Sequence, residues 1–322
     1  MRCPKLNAPL FASLALCLMF LLPLPHARAQ KRQAAAATPS EAELTRVAYQ
    51  SQATGQQREY FVYLPKGYKT EKGKKWPVLL FLHGNGERGN AKEELDYVLH
   101  HGPLYEAWVQ KRDLPFIIVS PQLPMYGMDS LADYIRNRKA ADIPRRQTQG
   151  VPPRPAKFPT PTPMTGAVQN PALPVPPEGP PVGWFMLEQD LLGIIESTLS
   201  TYAADRDRLY LSGISYGGFG AWYMAGKHPQ LFAALVPVVG YGHPDLMKPI
   251  AERQLPLWVF AGGRDGVVQP QFFYPALNAL ESHGHQQVQF TIHADMNHDA
   301  WVRVYAGQDI YDWMLQQKRS KP

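Results

Sequence analysis

The segment Gly213-Ile214-Ser215-Tyr216-Gly217 holds the residue with the clearest chemical potential in the chain. Ser215 stands between an apolar run at 209–211 and a stretch of helical pattern. That order is typical of a strand, a sharp turn and a helix that together present a serine hydroxyl. We expect the glycines at positions 213, 217 and 218 to let neighbouring backbones pack closely around the turn. The pattern therefore predicts a nucleophilic serine in a strained backbone conformation.

A serine hydroxyl hardly ionises at neutral pH, so Ser215 needs a base within hydrogen-bonding reach and a carboxylate that orients the base. In this strand–turn–helix arrangement, the acid and then the histidine follow the serine along the chain. Asp265 is the predicted acid, because it follows a predicted strand at 257–261. Asp245, after the preceding strand, is the rival acid. An ordinary turn aspartate is the alternative role for Asp265.

His298 is the predicted base, because it lies between the last predicted strand and the last predicted helix. A loop at that position allows its ring to turn towards Ser215. His293, at the end of the strand, and His243 are the competing histidines, and a surface position is the alternative role for His298. Asp299 is expected to serve the amino terminus of the last helix.

The negative charge that develops on an attacked carbonyl oxygen requires two hydrogen-bond donors, usually backbone N–H groups. We predict that Tyr216, the residue after the serine, supplies one of them. The loop after the predicted strand at 77–82 supplies the other, and Asn85 is the predicted donor, with Gly86 as the alternative.

Three more polar residues flank this predicted oxyanion donor. His83 is expected to be a structural hydrogen-bonding residue and not a base. For Glu87 and Arg88 we expect a salt bridge that braces the loop, with substrate contact as the alternative.

Strands alternate with helices along the chain, which predicts a mostly parallel eight-stranded sheet with helices on both faces. The predicted strands span residues 44–50, 59–64, 77–82, 116–120, 208–211, 234–239, 257–261 and 288–292. The predicted helices lie near residues 93–100, 129–139, 187–202, 272–282 and 300–317, and one more follows the turn at Ser215 and ends at about 228.

A proline-rich insertion at about 125–182 interrupts this alternation. The density of prolines between 144 and 181 excludes helix or interior strand there, so we expect extended or disordered chain. The insertion leaves the carboxyl end of a strand, and that edge of a parallel sheet carries the site. It is therefore either a flap or tether beside the pocket, or a passive loop.

Residues 1–29 have the features of a secretory signal peptide: a basic start, a short apolar stretch and a small-x-small sequence ending at Ala29. An uncleaved amino-terminal anchor is the alternative. Residues 30–43 are predicted to form a disordered leader, and residues 44–322 the folded domain. Both cysteines, Cys3 and Cys17, lie in the predicted signal, so the mature chain would contain no disulfide. We expect an exported protein, periplasmic or secreted, without stable membrane insertion after cleavage.

The formal net charge of +6 would fall to +3 without Arg2, Lys5 and Arg28, and later basic runs are short. This charge does not favour a nucleic-acid partner. Neither a metal-binding spacing nor a phosphate-binding glycine loop is present, so no metal or cofactor is predicted.

Several blocks together resemble secreted bacterial α/β-hydrolase esterases, a group related to polyhydroxybutyrate depolymerases, feruloyl esterases and prolyl-oligopeptidase-like hydrolases. The blocks are Leu82-His83-Gly84 with Gly86-Glu87-Arg88-Gly89, His101-Gly102-Pro103, the segment 205–222 around Ser215, residues 229–234, and His298-Asp299-Ala300-Trp301. The resemblance covers about residues 59–119 and 184–313. The insertion departs from the family pattern.

The resemblance implies an α/β-hydrolase fold and a Ser-His-Asp serine esterase that forms an acyl-enzyme on small-molecule or polymeric esters. Two alternatives are a serine peptidase of prolyl-oligopeptidase type and a non-catalytic binding protein with the same fold. The peptidase alternative is weakened because no segment is long enough for a propeller domain. The binding alternative is weakened because candidates for all three catalytic roles are present. The acyl group, the alcohol group and the oligomeric state stay open.

Overall fold

The apolar run Trp76–Leu82 forms a strand that is buried on both faces of a central sheet. Val78 and Leu80 join one cluster of core residues, whereas Leu79 and Phe81 join a second cluster. Alternating side chains of a strand point to opposite faces, so a doubly buried strand reads as continuous apolar sequence. The computed structural model describes residues 38–151 and 171–319. All of them belong to one compact unit that begins at Thr38.

Eight strands form a single sheet in the order β1-β2-β4-β3-β5-β6-β7-β8. Strand β2 runs antiparallel to β1 and β4, and β3 to β8 are mutually parallel. The predicted fold class and strand number are therefore confirmed. The strands are β1 (Glu43–Gln50), β2 (Gln57–Leu64), β3 (Trp76–Leu82), β4 (Ile117–Ser120), β5 (Ala204–Ile214), β6 (Ala234–Val238), β7 (Leu257–Gly262) and β8 (Val288–His293).

Helices cover both faces of the sheet. The second half of the chain supplies α4 to α7 to the first core cluster, and α8 and α9 to the second, through their apolar sides. The α-helices are α1 (Gly102–Leu104), α2 (Met128–Leu131), α3 (Asp133–Arg136), α4 (Glu188–Thr201), α5 (Tyr216–Lys227), α6 (Met247–Glu252), α7 (Tyr274–Ser282), α8 (Trp301–Ala306) and α9 (Asp309–Gln316). The helix predicted near 93–100 is instead a 3₁₀ helix, Leu95–His100.

The prediction of one helix over 300–317 was wrong in one respect, because this segment is broken into α8 and α9. The buried Arg112 guanidinium donates hydrogen bonds to the carbonyl oxygens of Tyr305, Ala306 and Gly307. These carbonyls lie at the end of α8, so the arginine satisfies groups that a continuing helix would have used. Glu106 pairs with Arg112 at 2.9 Å and compensates its charge.

The described parts of the insertion contain only the short helices α2 and α3 and one 3₁₀ turn, Ala140–Asp142. Between 144 and 182 the described residues form neither helix nor strand, as the prolines predicted. They nevertheless pack on the domain: Gln147 N–H donates to the Val109 carbonyl, and Leu173 contacts the first core cluster. Residues 152–170 lie outside the described part of the chain.

The predicted signal peptide and residues 30–37 of the predicted leader also lie outside the described residues. Just before β1, Ser40 is tied to the β2–β3 connection, because its carbonyl accepts a hydrogen bond from Gly67 N–H. Within residues 38–151 and 171–319, no helix has the length and apolar character needed to cross a membrane.

The start of α5 lies very close to the ends of three strands. A Cβ atom on Gly217 would lie 1.8 Å from the Leu82 carbonyl oxygen, and one on Gly213 would lie 2.2 Å from the Gly217 carbonyl oxygen. A Cβ on Gly218 would lie 2.9 Å from the carbonyl oxygen of Val238 in β6. The expected close packing around the turn is therefore observed, and it involves backbone atoms that no rotamer change can move away.

Gly217→Ala is expected to destabilise the domain by about 3 kcal/mol or more, because an overpacked site must shift backbone. Gly193→Ala is the matched control, since no atom lies within 4 Å of a Cβ on this glycine of α4. The control should be neutral or more stable by up to about 1 kcal/mol. Urea unfolding of both variants measures this difference, and equal stability of the two would contradict the prediction.

Candidate active site

Ser215 forms the turn between β5 and α5 and adopts a backbone φ of +51° with ψ of −115°. Residues other than glycine rarely adopt such angles, and strain of this kind is concentrated at functional sites. Two hydrogen bonds hold the turn: Ser215 N–H donates to the Val238 carbonyl, and Phe219 N–H donates to the Ser215 carbonyl. The turn therefore projects the hydroxyl beyond the carboxyl end of the sheet.

His298 lies within hydrogen-bonding distance of this hydroxyl. Its Nε2 atom is 3.0 Å from Ser215 Oγ. The chain leaves β8 at His293 and begins a short 3₁₀ helix at His298, which turns the imidazole back towards β5. The Trp301 ring stands perpendicular to the imidazole, with the ring centres 5.3 Å apart, and restricts its rotation.

Asp265 completes a chain of three side chains. Its Oδ2 atom is 2.7 Å from His298 Nδ1, and its Oδ1 atom accepts hydrogen bonds from the N–H groups of Val267 and Val268, each at 2.8 Å. A carboxylate only accepts, so Nδ1 carries the proton and Nε2 presents its lone pair to Ser215. The carboxylate is buried and fixed at both oxygens, so the imidazole tautomer and orientation follow from it.

The rival residues lie elsewhere. Asp245 has a side chain that is 71% exposed, and its carboxylate lies 3.4 Å from His243 Nδ1. His293 is buried within β8 and stacks on Phe260, and burial lowers its pKa to about 4. The structure therefore brings Ser215, His298 and Asp265 together.

Both predicted oxyanion donors begin helices. Tyr216 is the first residue of α5, and Asn85 is the first residue of the 3₁₀ helix Asn85–Glu87. The first N–H groups of a helix have no acceptor within the helix, so they are available to an external oxygen. The two segments adjoin, because a Cβ on Gly84 would lie 3.5 Å from the side chain of Ile214.

Arg88 connects the two predicted donors. Its Nε–H donates to Asn85 Oδ1 at 2.5 Å, and its guanidinium lies 4.9 Å from the centre of the Tyr216 ring. The carbonyl oxygens of Pro124 and Val182 also accept hydrogen bonds from the guanidinium, both at 2.9 Å. Burial lowers the Arg88 pKa to about 10, which leaves the group charged at neutral pH.

The loop after β3 is not braced by the expected salt bridge between Glu87 and Arg88. Among the described residues no ion pair joins Glu87 to Arg88. The buried Glu87 carboxylate instead faces His83 Nδ1 at 3.8 Å and His101 Nε2 at 3.7 Å. Burial lowers the pKa of His83 to about 3 and that of His101 to about 4, so both rings are neutral near pH 7.

His83 has the structural role that the sequence predicted. Its Nε2 accepts a hydrogen bond from Leu123 N–H at 2.9 Å, and its Nδ1 lies 2.6 Å from the Gly84 carbonyl oxygen. With Nε2 as acceptor, Nδ1–H is the donor to Gly84. The ring thus ties the loop after β3 to the loop after β4.

The insertion contributes contacts to this loop that the sequence analysis missed. Tyr134 Oη accepts a hydrogen bond from Asn85 Nδ2 at 2.6 Å. Arg138 donates to the carbonyl oxygen of Gly86 at 3.0 Å. Just after the insertion, Trp184 Nε1–H donates to the His83 carbonyl at 3.1 Å. No motif marks these residues, because their role depends on where the insertion folds back.

A cavity of about 210 Å³ is lined mainly by side chains from residues 100–106 and 301–305. Trp301 forms part of its wall and also contacts the His298 ring. Most of the lining is aromatic or uncharged, and it includes His100, His101, Tyr105, Trp301 and Val302. Among the described residues, no three His, Cys, Asp or Glu side chains are arranged to hold a metal ion.

Comparison with known proteins gives matches over most of the chain. Residues 188–248 match the model of the prolyl oligopeptidase family. A crystal structure of a thermostable esterase aligns with a TM-score of 0.55 and 23% identity, over 86% of this chain and 63% of that protein. The chain has the α/β-hydrolase fold. A fluorophosphonate-binding serine hydrolase of Staphylococcus aureus aligns with a TM-score of 0.56 and 14% identity, over 86% of this chain and 100% of the other.

A feruloyl esterase module from Clostridium thermocellum, complexed with sinapinate, aligns with a TM-score of 0.51 and 16% identity, over 85% and 87% of the two chains. No curated protein sequence matches this chain significantly. The matches confirm the predicted fold and the predicted resemblance to α/β-hydrolase esterases. This chain spans 63% of the length of the thermostable esterase, which is therefore the longer protein.

The buried Glu87 predicts a specific pH dependence of stability. Burial raises its pKa from 4.5 to about 7, with backbone hydrogen bonds of Glu87 and Gly84 and the charge of Arg138 acting in the opposite direction. Between these two values the unfolded chain has released the proton and the native state keeps it, so stability falls as pH rises. Relative to the Glu87→Gln variant, the wild type should lose on the order of 3 kcal/mol from pH 4 to pH 8.

Urea unfolding of both proteins at pH 4, 6 and 8 measures this difference. The neighbouring histidines, whose lowered pKa values make stability fall on acidification, are present in both proteins, so their contribution cancels in the comparison. Parallel stability curves for wild type and variant would show that the Glu87 carboxyl is not held in its neutral form.

Proposed function

We propose that this chain is an exported serine hydrolase that cleaves carboxylic esters through Ser215, His298 and Asp265. The observation that carries the proposal is the hydrogen-bonded series from Asp265 Oδ2 through the imidazole to Ser215 Oγ, with distances of 2.7 and 3.0 Å. A serine placed in a strained turn next to a correctly oriented imidazole is the arrangement that nucleophilic acyl transfer requires.

In the first step Ser215 Oγ attacks the ester carbonyl carbon while His298 Nε2 takes the hydroxyl proton. The backbone N–H groups of Asn85 and Tyr216 stabilise the resulting oxyanion. His298 then gives the proton to the oxygen of the leaving group, which departs as the alcohol. An acyl-enzyme on Ser215 remains. Water, deprotonated by His298, attacks the acyl carbonyl. The bond to Ser215 Oγ then breaks while His298 returns the proton to that oxygen, which releases the carboxylic acid and restores the free serine. Asp265 stays ionised and stabilises the imidazolium.

A peptidase of prolyl-oligopeptidase type is the second candidate, because residues 188–248 match that family. The same three side chains would serve an amide substrate, so the distinction depends on substrate binding and not on the triad. The purely binding alternative is disfavoured because it gives no reason for the strained Ser215 turn to meet an oriented imidazole.

Export is part of the proposal and depends on the predicted signal at residues 1–29. A mature chain beginning near Gln30 would retain all of the described domain. Amino-terminal sequencing of the protein from the periplasm or the medium would establish the cleavage site. An intact amino terminus in the membrane fraction would instead favour the uncleaved anchor.

The mature protein is expected to hydrolyse chromogenic acyl esters, from acetyl to long chains. Ser215→Ala should lower kcat by at least about 10⁴-fold, because the nucleophile is lost while binding is kept. Turnover that survives this substitution would show that Ser215 is not the nucleophile. No turnover of any ester, combined with cleavage of proline-containing peptides, would favour the peptidase.

The choice of acid has a matched control within the chain. Asp265→Asn should lower kcat by about 10⁴-fold, because the amide favours the wrong imidazole tautomer. Asp245→Asn, the rival, should change kcat by less than about twofold, since its side chain is largely exposed and faces His243. Comparable losses in the two variants would contradict the assignment.

We also propose that the cavity beside Trp301 accepts one substituent of the ester, because its wall contacts the His298 ring. Val302 lines this cavity and is 54% exposed, so a larger side chain fits there without disturbing the core. Val302→Trp should lower kcat/KM for bulky esters by about tenfold more than for acetyl esters, the equivalent of about 1.4 kcal/mol.

Leu131→Trp provides the control, since Leu131 is an exposed apolar residue outside the cavity lining. This variant should leave the chain-length profile unchanged. An unchanged profile in Val302→Trp as well would place the substituent elsewhere.

A further inference from the structure

The side-chain amide of Asn85 is held at both ends. Its Oδ1 accepts from Arg88 Nε at 2.5 Å, and its Nδ2 donates to Tyr134 Oη at 2.6 Å. The guanidinium can only donate, so the orientation of the amide is unambiguous and the tyrosine oxygen must accept. Asn85 is buried and is the first residue of the 3₁₀ helix Asn85–Glu87. Contacts that fix its side chain therefore also fix the start of this helix.

Tyr134 belongs to the insertion, in the short helix α3 (Asp133–Arg136). Two neighbours hold this helix against the domain. Ile135 is buried, and Arg138 donates to the carbonyl oxygens of Gly86 and Arg88 and to Glu94 Oε1. The Arg138 guanidinium also lies 3.9 Å from the centre of the Tyr97 ring. The helix therefore has a defined position, although Tyr134 itself is 62% exposed.

We infer that Tyr134 is a positioning residue, which acts through the Asn85 side chain to fix the loop that carries the predicted oxyanion donor. The inference rests on the proposed function. Catalysis by oxyanion donors depends on their being oriented before the charge develops. The described residues at 125–142 are then a fixed wall of the active site, supplied by the insertion, and neither a moving flap nor a passive loop.

Because Tyr134 is largely exposed, a role in positioning Asn85 can be tested apart from a role in stabilising the fold. Removing its hydroxyl leaves the ring, the buried Ile135 and the Arg138 contacts in place, so Tyr134→Phe should not change the unfolding midpoint. What it removes is the acceptor for Asn85 Nδ2. The expected result is a three- to tenfold fall in kcat with KM unchanged within twofold, the signature of a contact that matters in the transition state.

A double-mutant cycle with Asn85→Ala tests whether Tyr134 acts through Asn85, since this variant keeps the backbone N–H but removes the amide. Tyr134→Phe should have no further effect on kcat in the Asn85→Ala background. Arg136→Gln, on the same helix and paired with Asp133, is the control and should match wild type. An unchanged kcat in Tyr134→Phe, or an equal loss in both backgrounds, would overturn the inference.

The side-chain amide resonances of Asn85, followed by ¹⁵N-resolved NMR in the full mature chain, report the contact whether or not an ester is turned over. A shift of these resonances in Tyr134→Phe, with wild-type kcat, would overturn the inference while leaving the proposed function intact. Ser215-independent turnover, or no turnover at all, would overturn the proposed function and with it the inference. Unshifted resonances would show that the contact is not formed.

Discussion

The arrangement of this site depends on the close approach of two backbone segments, the start of α5 and the end of β3. A Cβ at position 217 would lie 1.8 Å from the Leu82 carbonyl oxygen, so only glycine permits the approach. Because α5 begins so close to β3, the chain must turn sharply at Ser215, and the turn adopts a positive φ. The same approach brings Tyr216 beside the loop that begins at His83. One steric constraint therefore places the predicted nucleophile and both predicted oxyanion donors.

The other half of the site depends on parallel strands ending at one edge. The loops after β7 and β8 touch, since Arg264 N–H donates to the Met296 carbonyl at 2.9 Å. That contact brings the Asp265 carboxylate and the His298 imidazole together. Two backbone N–H groups hold the carboxylate and Trp301 confines the imidazole, so neither side chain must lose much rotamer freedom when substrate binds.

The sequence predicted those parts of the molecule that follow from local pattern. Apolar runs marked the buried strands. The position of Asp265 after a predicted strand, and of His298 in the loop before the last predicted helix, favoured these residues over Asp245 and His293. The break between α8 and α9 could not be predicted, because it depends on Arg112, almost 200 residues earlier in the chain. The apolar spacing within residues 300–317 alone favoured one continuous helix. For the same reason no pattern marked Tyr134, whose partner lies 49 positions away.

Two buried arginines explain why such long-range contacts decide the details. Arg88 and Arg112 each donate to backbone carbonyl oxygens from segments that are distant in sequence. A guanidinium has five donors in a rigid plane, so it can satisfy several carbonyl groups that lie outside regular structure. Burying its charge is costly, and the cost is tolerable only while those partners stay in place.

Arg88 therefore does more than fill space beneath the loop. Its carbonyl partners, Pro124 and Val182, flank the insertion at its two ends, and its Nε–H holds Asn85. Displacing either end of the insertion would leave donors of a buried cation without acceptors. The charge that the chain buries at Arg88 thus couples the position of the insertion to the position of the loop that carries the predicted oxyanion donor.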